Sequence, residues 1–226
     1  MPSNDNNDCD LRTRRFLSSL MQTDRFRASE VSAEDYREMV NVLAELLVEL
    51  SGITKCGANW DVVKIFDRSV AAPCAFLPDK KTGTEFILAI DWNSISLTFR
   101  LTHFQELRYV DDSFWKLMLS LGKLGEIKYE PSSSPVSSGT EESVLALMRY
   151  RKSNIFSVVV DHILFSKEDD PFTSFPNLTL EWPPSYSWTD LFPTLVETVE
   201  TGWRMNYVLY RSAYQRRHRA VKTSMV

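Results

Sequence analysis

Three histidines, three cysteines and a few adjacent carboxylates are the residues of this chain that could do chemistry. His103, His162 and His218 stand apart in the sequence. None falls at an HxxxH, HExxH or CxxC-type spacing, which is what brings metal ligands onto one face. Asp161 precedes His162 inside a segment read as a strand, and neighbouring strand residues point to opposite faces, so the two cannot form a general-base dyad. Cys9, Cys56 and Cys74 are odd in number, which argues against a disulfide framework and for a reducing compartment. Cys74 follows Pro73 and enters an apolar run with no basic neighbour to lower its pKa, so Cys56 and Cys74 read as buried structural thiols. Glu141-Glu142 and Asp169-Asp170 are side-by-side acids in polar stretches, not carboxylates set across a cleft. The seven glycines are scattered, and neither a P-loop, a Rossmann fingerprint nor a GxSxG turn is present. The expectation is no catalytic residue, no cofactor and no metal. An enzyme whose site is assembled from scattered residues is the alternative.

Composition points to a folded chain. At 43% hydrophobic and 25% charged residues, a packed core is expected. The net charge of −4 sets the chain apart from general nucleic-acid binders. No run approaches the roughly 18–20 apolar residues of a membrane helix, so no membrane partner is expected. The first residues are polar and acidic, without the apolar core of a signal peptide, and a nuclear or cytoplasmic protein follows.

The elements that would position any site divide into three stretches. Residues 1–30 read as a polar and then basic N-terminal tail. Residues 31–125 read as a helix plus β-meander unit. Ser32 and Asp35 form a capping box before Tyr36, Met39, Val40, Leu43, Leu46, Leu47 and Leu50, which recur at helical spacing; Gly52 is the expected stop. Strands follow at 62–66, 73–78, 85–91 and 95–101. The 73–78 strand is expected at an edge because prolines bound it. In the last, Ile95, Leu97, Phe99 and Leu101 alternate inward against Ser96, Thr98 and Arg100. A second helix is capped by Asp111 or Asp112, weakened at Gly122 and ended by Gly125.

Residues 126–226 form the third stretch, with a Ser/Pro-rich loop at 131–140. Strands are expected at 126–130, 143–151, 155–165 and 178–182. A long helix runs from about Asp190 to Arg216, with its cap at Asp190 so that Pro193 stays in the first turn. Leu191, Leu195, Val199, Trp203 and Tyr207 form its buried line. Tyr207, Tyr210, Arg211 and Tyr214 exceed what one buried stripe can use, and Tyr and Arg are the residues enriched at interface hot spots. These four are the expected partner-binding residues, with other protein subunits as the partners. Nucleic acid is the alternative, and it requires Arg204, Arg211, Arg216, Arg217 and Arg219 to share a face with Tyr210 and Tyr214.

The acidic loop Asp169-Asp170-Pro171-Phe172-Thr173-Ser174-Phe175-Pro176 joins two expected strands, and Asn177-Leu178-Thr179-Leu180 and Trp188 follow. With the helix–strands–helix order of 111–216, this resembles the RWD/UEV-like family, the non-catalytic relatives of ubiquitin-conjugating enzymes. The family's Tyr-Pro-x-x-x-Pro motif is matched here with Asp for Tyr and one extra spacer. The resemblance covers about half the chain. It implies an α+β fold with antiparallel meanders flanked by helices, as two tandem RWD/UEV-like units or one composite sheet. It also implies a non-catalytic scaffold or adaptor subunit, in settings such as ubiquitin-linked DNA repair or kinetochore assembly. An active conjugating enzyme of this plan needs a cysteine after its fourth strand, and none follows Cys74.

Overall fold

A computed structural model describes residues 33–65, 73–90, 94–130, 177–183 and 186–223. The fold is α+β. Its helices are α1 (Ala33–Ile53), α2 (Asp112–Leu121) and α3 (Trp188–Thr223). Its strands are β1 (Lys64–Ile65), β2 (Cys74–Pro78), β3 (Glu85–Ile90), β4 (Ile95–Phe99), β5 (Glu126–Glu130) and β6 (Asn177–Trp182). A 3-10 turn at Phe104–Tyr109 precedes α2. The strands form one six-stranded antiparallel sheet in the order β1-β2-β3-β4-β6-β5. Strands from both sides of residue 125 therefore share one sheet, which is the composite arrangement.

Pleat alternation decides the core. Ala75, Leu77, Phe86, Leu88, Ile90, Ile95, Leu97, Phe99, Leu178, Leu180 and Trp182 fall on one face and are buried. Each large side chain buried this way contributes roughly 1.5–3 kcal/mol. The apolar stripe of α1 from Met39 to Leu50 joins the same cluster, with Val42 added to the expected set. Leu191, Leu195, Val199 and Trp203 of α3 join it too, and Tyr207 packs against it half-buried. Gly202 is where α3 lies closest to the sheet: a Cβ there would sit 2.9 Å from Phe99 Cζ and 3.1 Å from Phe86 Cε1.

Since β4 and β5 both pair antiparallel with β6, they run in the same direction. The link between them must therefore cross over, and α2 is that crossover, packed against α3. β4 and β5 pair with the two sides of β6. Residues 155–165, the strand at 143–151, the 131–140 loop, the Pro171–Pro176 loop, the tail at 1–30 and the Ser32 cap lie outside the described residues.

Several local expectations are corrected. β2 is not an edge, because β1 covers its outer side. Pro73 precedes the strand and Pro78 closes it, so neither interrupts a ladder. Gly52 lies inside the last turn of α1; the left-handed residue beyond is Gly57, with φ 73°. α2 ends at Leu121 with Gly122 as its C-cap. Gly125 has a packing role instead, since a Cβ there would lie 3.0 Å from Trp182 Nε1. That indole donates to the Leu124 carbonyl at 2.8 Å. α3 begins at Trp188, capped by Ser187 rather than Asp190. The Ser187 hydroxyl donates to Asp190 Oδ2 at 2.7 Å and accepts from the Asp190 N–H at 3.3 Å. Pro193 is thereby inside the helix and removes the donor that the Thr189 carbonyl would use, but Thr189 is exposed and water can serve it. Among the described residues, no helix is long and apolar enough to cross a membrane.

Candidate interaction surface on the last helix

The C-terminal half of α3 is packed on one side only. Gly202, Met205, Asn206, Leu209 and Ala213 face inward and are buried. Asn206 is fully buried and every polar atom of its amide is used. Its Oδ1 accepts from the Thr102 N–H at 2.6 Å and the Thr102 hydroxyl at 3.0 Å. Its Nδ2 donates to the carbonyls of Arg100 and Gly202, each at 3.2 Å. This amide ties the end of β4 to the helix. Glu106, also buried, accepts from Ser212 Oγ at 3.0 Å and from Arg216 Nη1 at 3.2 Å. The Arg216 guanidinium lies 4.3 Å over the Tyr109 ring. The 3-10 segment thus holds α3 at Ser212 and Arg216, while residues 214–218 are exposed.

With the inward face filled, the tyrosines fall on its flank. Trp203, Tyr207, Tyr210, Tyr214 and His218 recur at steps of three or four residues, which places their rings in a row. Trp203 and Tyr207 stack at 5.0 Å between centroids and 9° between planes. Tyr207–Tyr210 and Tyr210–Tyr214 continue at 6.2 and 6.5 Å, and Tyr214 meets His218 at 4.1 Å. Exposure rises along the row: Trp203 is buried, Tyr207 and Tyr210 are half-buried, and Tyr214 is 54% exposed. Arg211 is exposed between Tyr207 and Tyr214 on the same strip. The four residues expected from the sequence, Tyr207, Tyr210, Arg211 and Tyr214, are therefore brought together.

Neighbouring elements supply groups that local patterns do not reveal. Lys81, from the β2–β3 turn, lies 4.6 Å over the Tyr207 ring and 5.5 Å over Trp203. His103 packs its ring 5.9 Å from Tyr210. It holds a left-handed backbone, φ 54°, uncommon for residues other than Gly, though His, Asn and Asp adopt it more often than most. Burial pushes the His103 pKa down, the nearby Arg217 charge pushes it further the same way, and Glu106 opposes weakly. At the buried end of the row sits Asp79, 2% exposed. Its Oδ1 accepts from the Asn59 N–H at 2.7 Å and the Lys81 N–H at 3.3 Å. Its Oδ2 accepts from the Thr82 N–H at 2.9 Å, the Thr82 hydroxyl at 2.7 Å and Trp203 Nε1 at 2.9 Å. Burial pushes the Asp79 pKa up, but the bonds from Thr82, Asn59 and Trp203 outweigh it and hold the carboxyl below the ordinary value. Asp79 thus fixes both the hairpin turn that carries Lys81 and the indole from which the row starts. Sequence reasoning missed it; the turn residues Thr82-Gly83-Thr84 after an Asp were the available signal.

The other chemically competent residues stay apart. Cys56 is buried, and burial raises its pKa, with a smaller rise from Glu200 and partial relief by the Ala58 backbone. Cys74 is half-buried, not buried as expected, because it faces the less covered side of β2; burial raises its pKa too. His162 with Asp161, Cys9, Glu141-Glu142 and Asp169-Asp170 lie outside the described residues. Among the described residues, no group of three His, Cys, Asp or Glu is placed to hold a metal ion. The basic residues do not share one face: Arg216 turns to Glu106 across the helix, and Arg204 pairs with Glu200 at 2.9 Å.

No family model, curated protein or solved structure matches this chain.

Proposed function

We propose that the chain is a non-catalytic scaffold or adaptor subunit that holds a protein partner on the flank of α3 bearing Tyr207, Tyr210, Arg211 and Tyr214. The observation that carries this reading is the ring row itself. The inward face of the helix is already filled by Gly202, Met205, Asn206, Leu209 and Ala213, and only Tyr207 of the tyrosines packs against the core, so Tyr210 and Tyr214 are not needed to close it. Rigid aromatic side chains beside an arginine give large contact area at low entropic cost, which is the composition of interface anchors. The order helix, antiparallel strands, helices supports a place beside the RWD/UEV-like folds. With that place come nuclear or cytoplasmic settings such as ubiquitin-linked DNA repair or kinetochore assembly.

Nucleic acid is the weaker reading, because Arg216 and Arg204 are committed within the chain and the net charge is −4. The test is light-scattering mass measurement on complexes co-purified with the tagged full chain. The wild type should run above its own mass of 26.1 kDa, and Tyr210→Ala/Tyr214→Ala should run as the folded chain alone. Retention of the same partner by that variant contradicts the proposal.

A further inference from the structure

The charges around the ring row are unbalanced, and their arrangement selects among partners. Arg204 and Arg216 are neutralised by Glu200 and Glu106. Lys81, Arg211 and Arg217 make no ion pair among the described residues. The Lys81 ammonium has only the Gly57 carbonyl at 3.4 Å and the two ring faces. The carboxylate that feels Arg211 is Asp111, which is fully exposed and already engaged by Ser113. Asp79 is buried beneath the row and satisfied. His103 adds little positive charge near neutral pH, since burial and the Arg217 charge lower its pKa.

The three cations flank the rings. Lys81 sits at the level of Trp203 and Tyr207, nearer Tyr207. At 1.5 Å per residue, Arg211 lies about 6 Å further along the axis from Tyr207, and Arg217 about 9 Å beyond that and about 120° around the helix, on the other side of the row. Intervals of about 6 to 9 Å equal roughly two to three residues of extended peptide, whose alternate side chains leave on opposite sides.

We propose that the segment seated on this flank is an acidic peptide of the partner protein, with carboxylates at Lys81, Arg211 and Arg217 and apolar side chains on the rings between. This rests on the reading of α3 as a partner surface. A peptide is favoured over a nucleic acid for two reasons. Three cations that make no ion pair among the described residues, on a chain of net charge −4, give little counterion release. They are also spaced so that each can meet its own carboxylate.

The experiment selects a random-peptide display library on the immobilised full chain, then measures the selected peptides by fluorescence anisotropy. The expected result is enrichment of Asp and Glu, with affinity falling on the order of tenfold in Arg211→Glu/Arg217→Glu and again at high salt. Arg211→Gln/Arg217→Gln, a milder pair at the same exposed positions, should fall partway and keeps the test valid if the reversal misfolds. Peptides without an acidic bias overturn the proposal, as does indifference to both arginine pairs. Equal or tighter binding of oligothymidylate also overturns it, in favour of nucleic acid. A concentration-dependent dimer that the arginine pairs dissolve overturns it in favour of a second copy. If Tyr210→Ala/Tyr214→Ala abolishes partner retention while the arginine pairs do not, the acidic class falls and the surface stands. If neither set matters, the surface falls as well.

Discussion

Asp79→Asn removes the charge that anchors the ring row while keeping the side chain's size. The carboxylate accepts on both oxygens, from Asn59 and Lys81 on one and from Thr82 and Trp203 on the other. An amide can accept on only one of these sides, and its NH2 must face donors on the other. A hydrogen bond to a buried charged group contributes about 1.5–3 kcal/mol, and a donor left unsatisfied costs about 1–3 kcal/mol. The variant should therefore lose about 2–4 kcal/mol out of a total of roughly 5–15. Folding lowers the Asp79 pKa, so its contribution is fully present above the unfolded value of 3.8 and is lost as pH falls through the folded value. Urea denaturation of wild type and variant near pH 7, and again between about pH 3 and pH 2, measures both effects. The gap should be widest near pH 7 and shrink in acid. A gap under about 0.5 kcal/mol near pH 7, or one that stays constant in acid, refutes the assignment of Asp79 as an ionised anchor.

Gly202→Ala should destabilise by about 0.5–2 kcal/mol in urea melts, because overpacking against the fully buried Phe99 and Phe86 rings costs about 1–3 kcal/mol while helix propensity returns at most about 1. His103→Asn keeps a residue that tolerates φ 54° and should flatten the pH dependence of Tm below 6.5. The sign follows from the lowered folded pKa, which makes wild-type stability fall as pH drops below 6.5; a wild-type Tm flat from about pH 7.5 to 5 would contradict it. Tyr210→Ala/Tyr214→Ala should cost on the order of 1 kcal/mol in a thermal melt, the loss of ring stacking alone, and leave the chain folded. Unfolding of that variant would assign the two rings to the core.

The apolar periodicities carried most of the fold. The α1 stripe, the alternation in β4 and the line from Leu191 to Trp203 all face the core because a period of 3.6 or 2 determines which side is buried. Edges and ends were less legible. Proline at 73 and 78 marks strand ends as readily as sheet edges, and only the pairing of β1 decides between them. The Ser187 cap was obscured by Pro193, whose cost is small where water can reach the freed carbonyl. Three rings of the row and the neighbouring Arg211 could be read from composition, since Tyr and Arg in excess of one stripe stand out locally. Asp79, Lys81, His103 and Glu106 could not, because their partners on α3 lie 106 to 126 residues away along the chain.

Hydroxyl-radical footprinting of the free chain and of its partner complex tests the central claim most directly, because it reads the solvent access of each ring in place. Tyr214 and Tyr210 should be oxidised in the free chain, with Tyr214 the more reactive as the more exposed of the two, and both should be protected in the complex. Unchanged oxidation of both tyrosines, with protection confined to other parts of the chain, would contradict the assignment of the α3 flank as the partner surface.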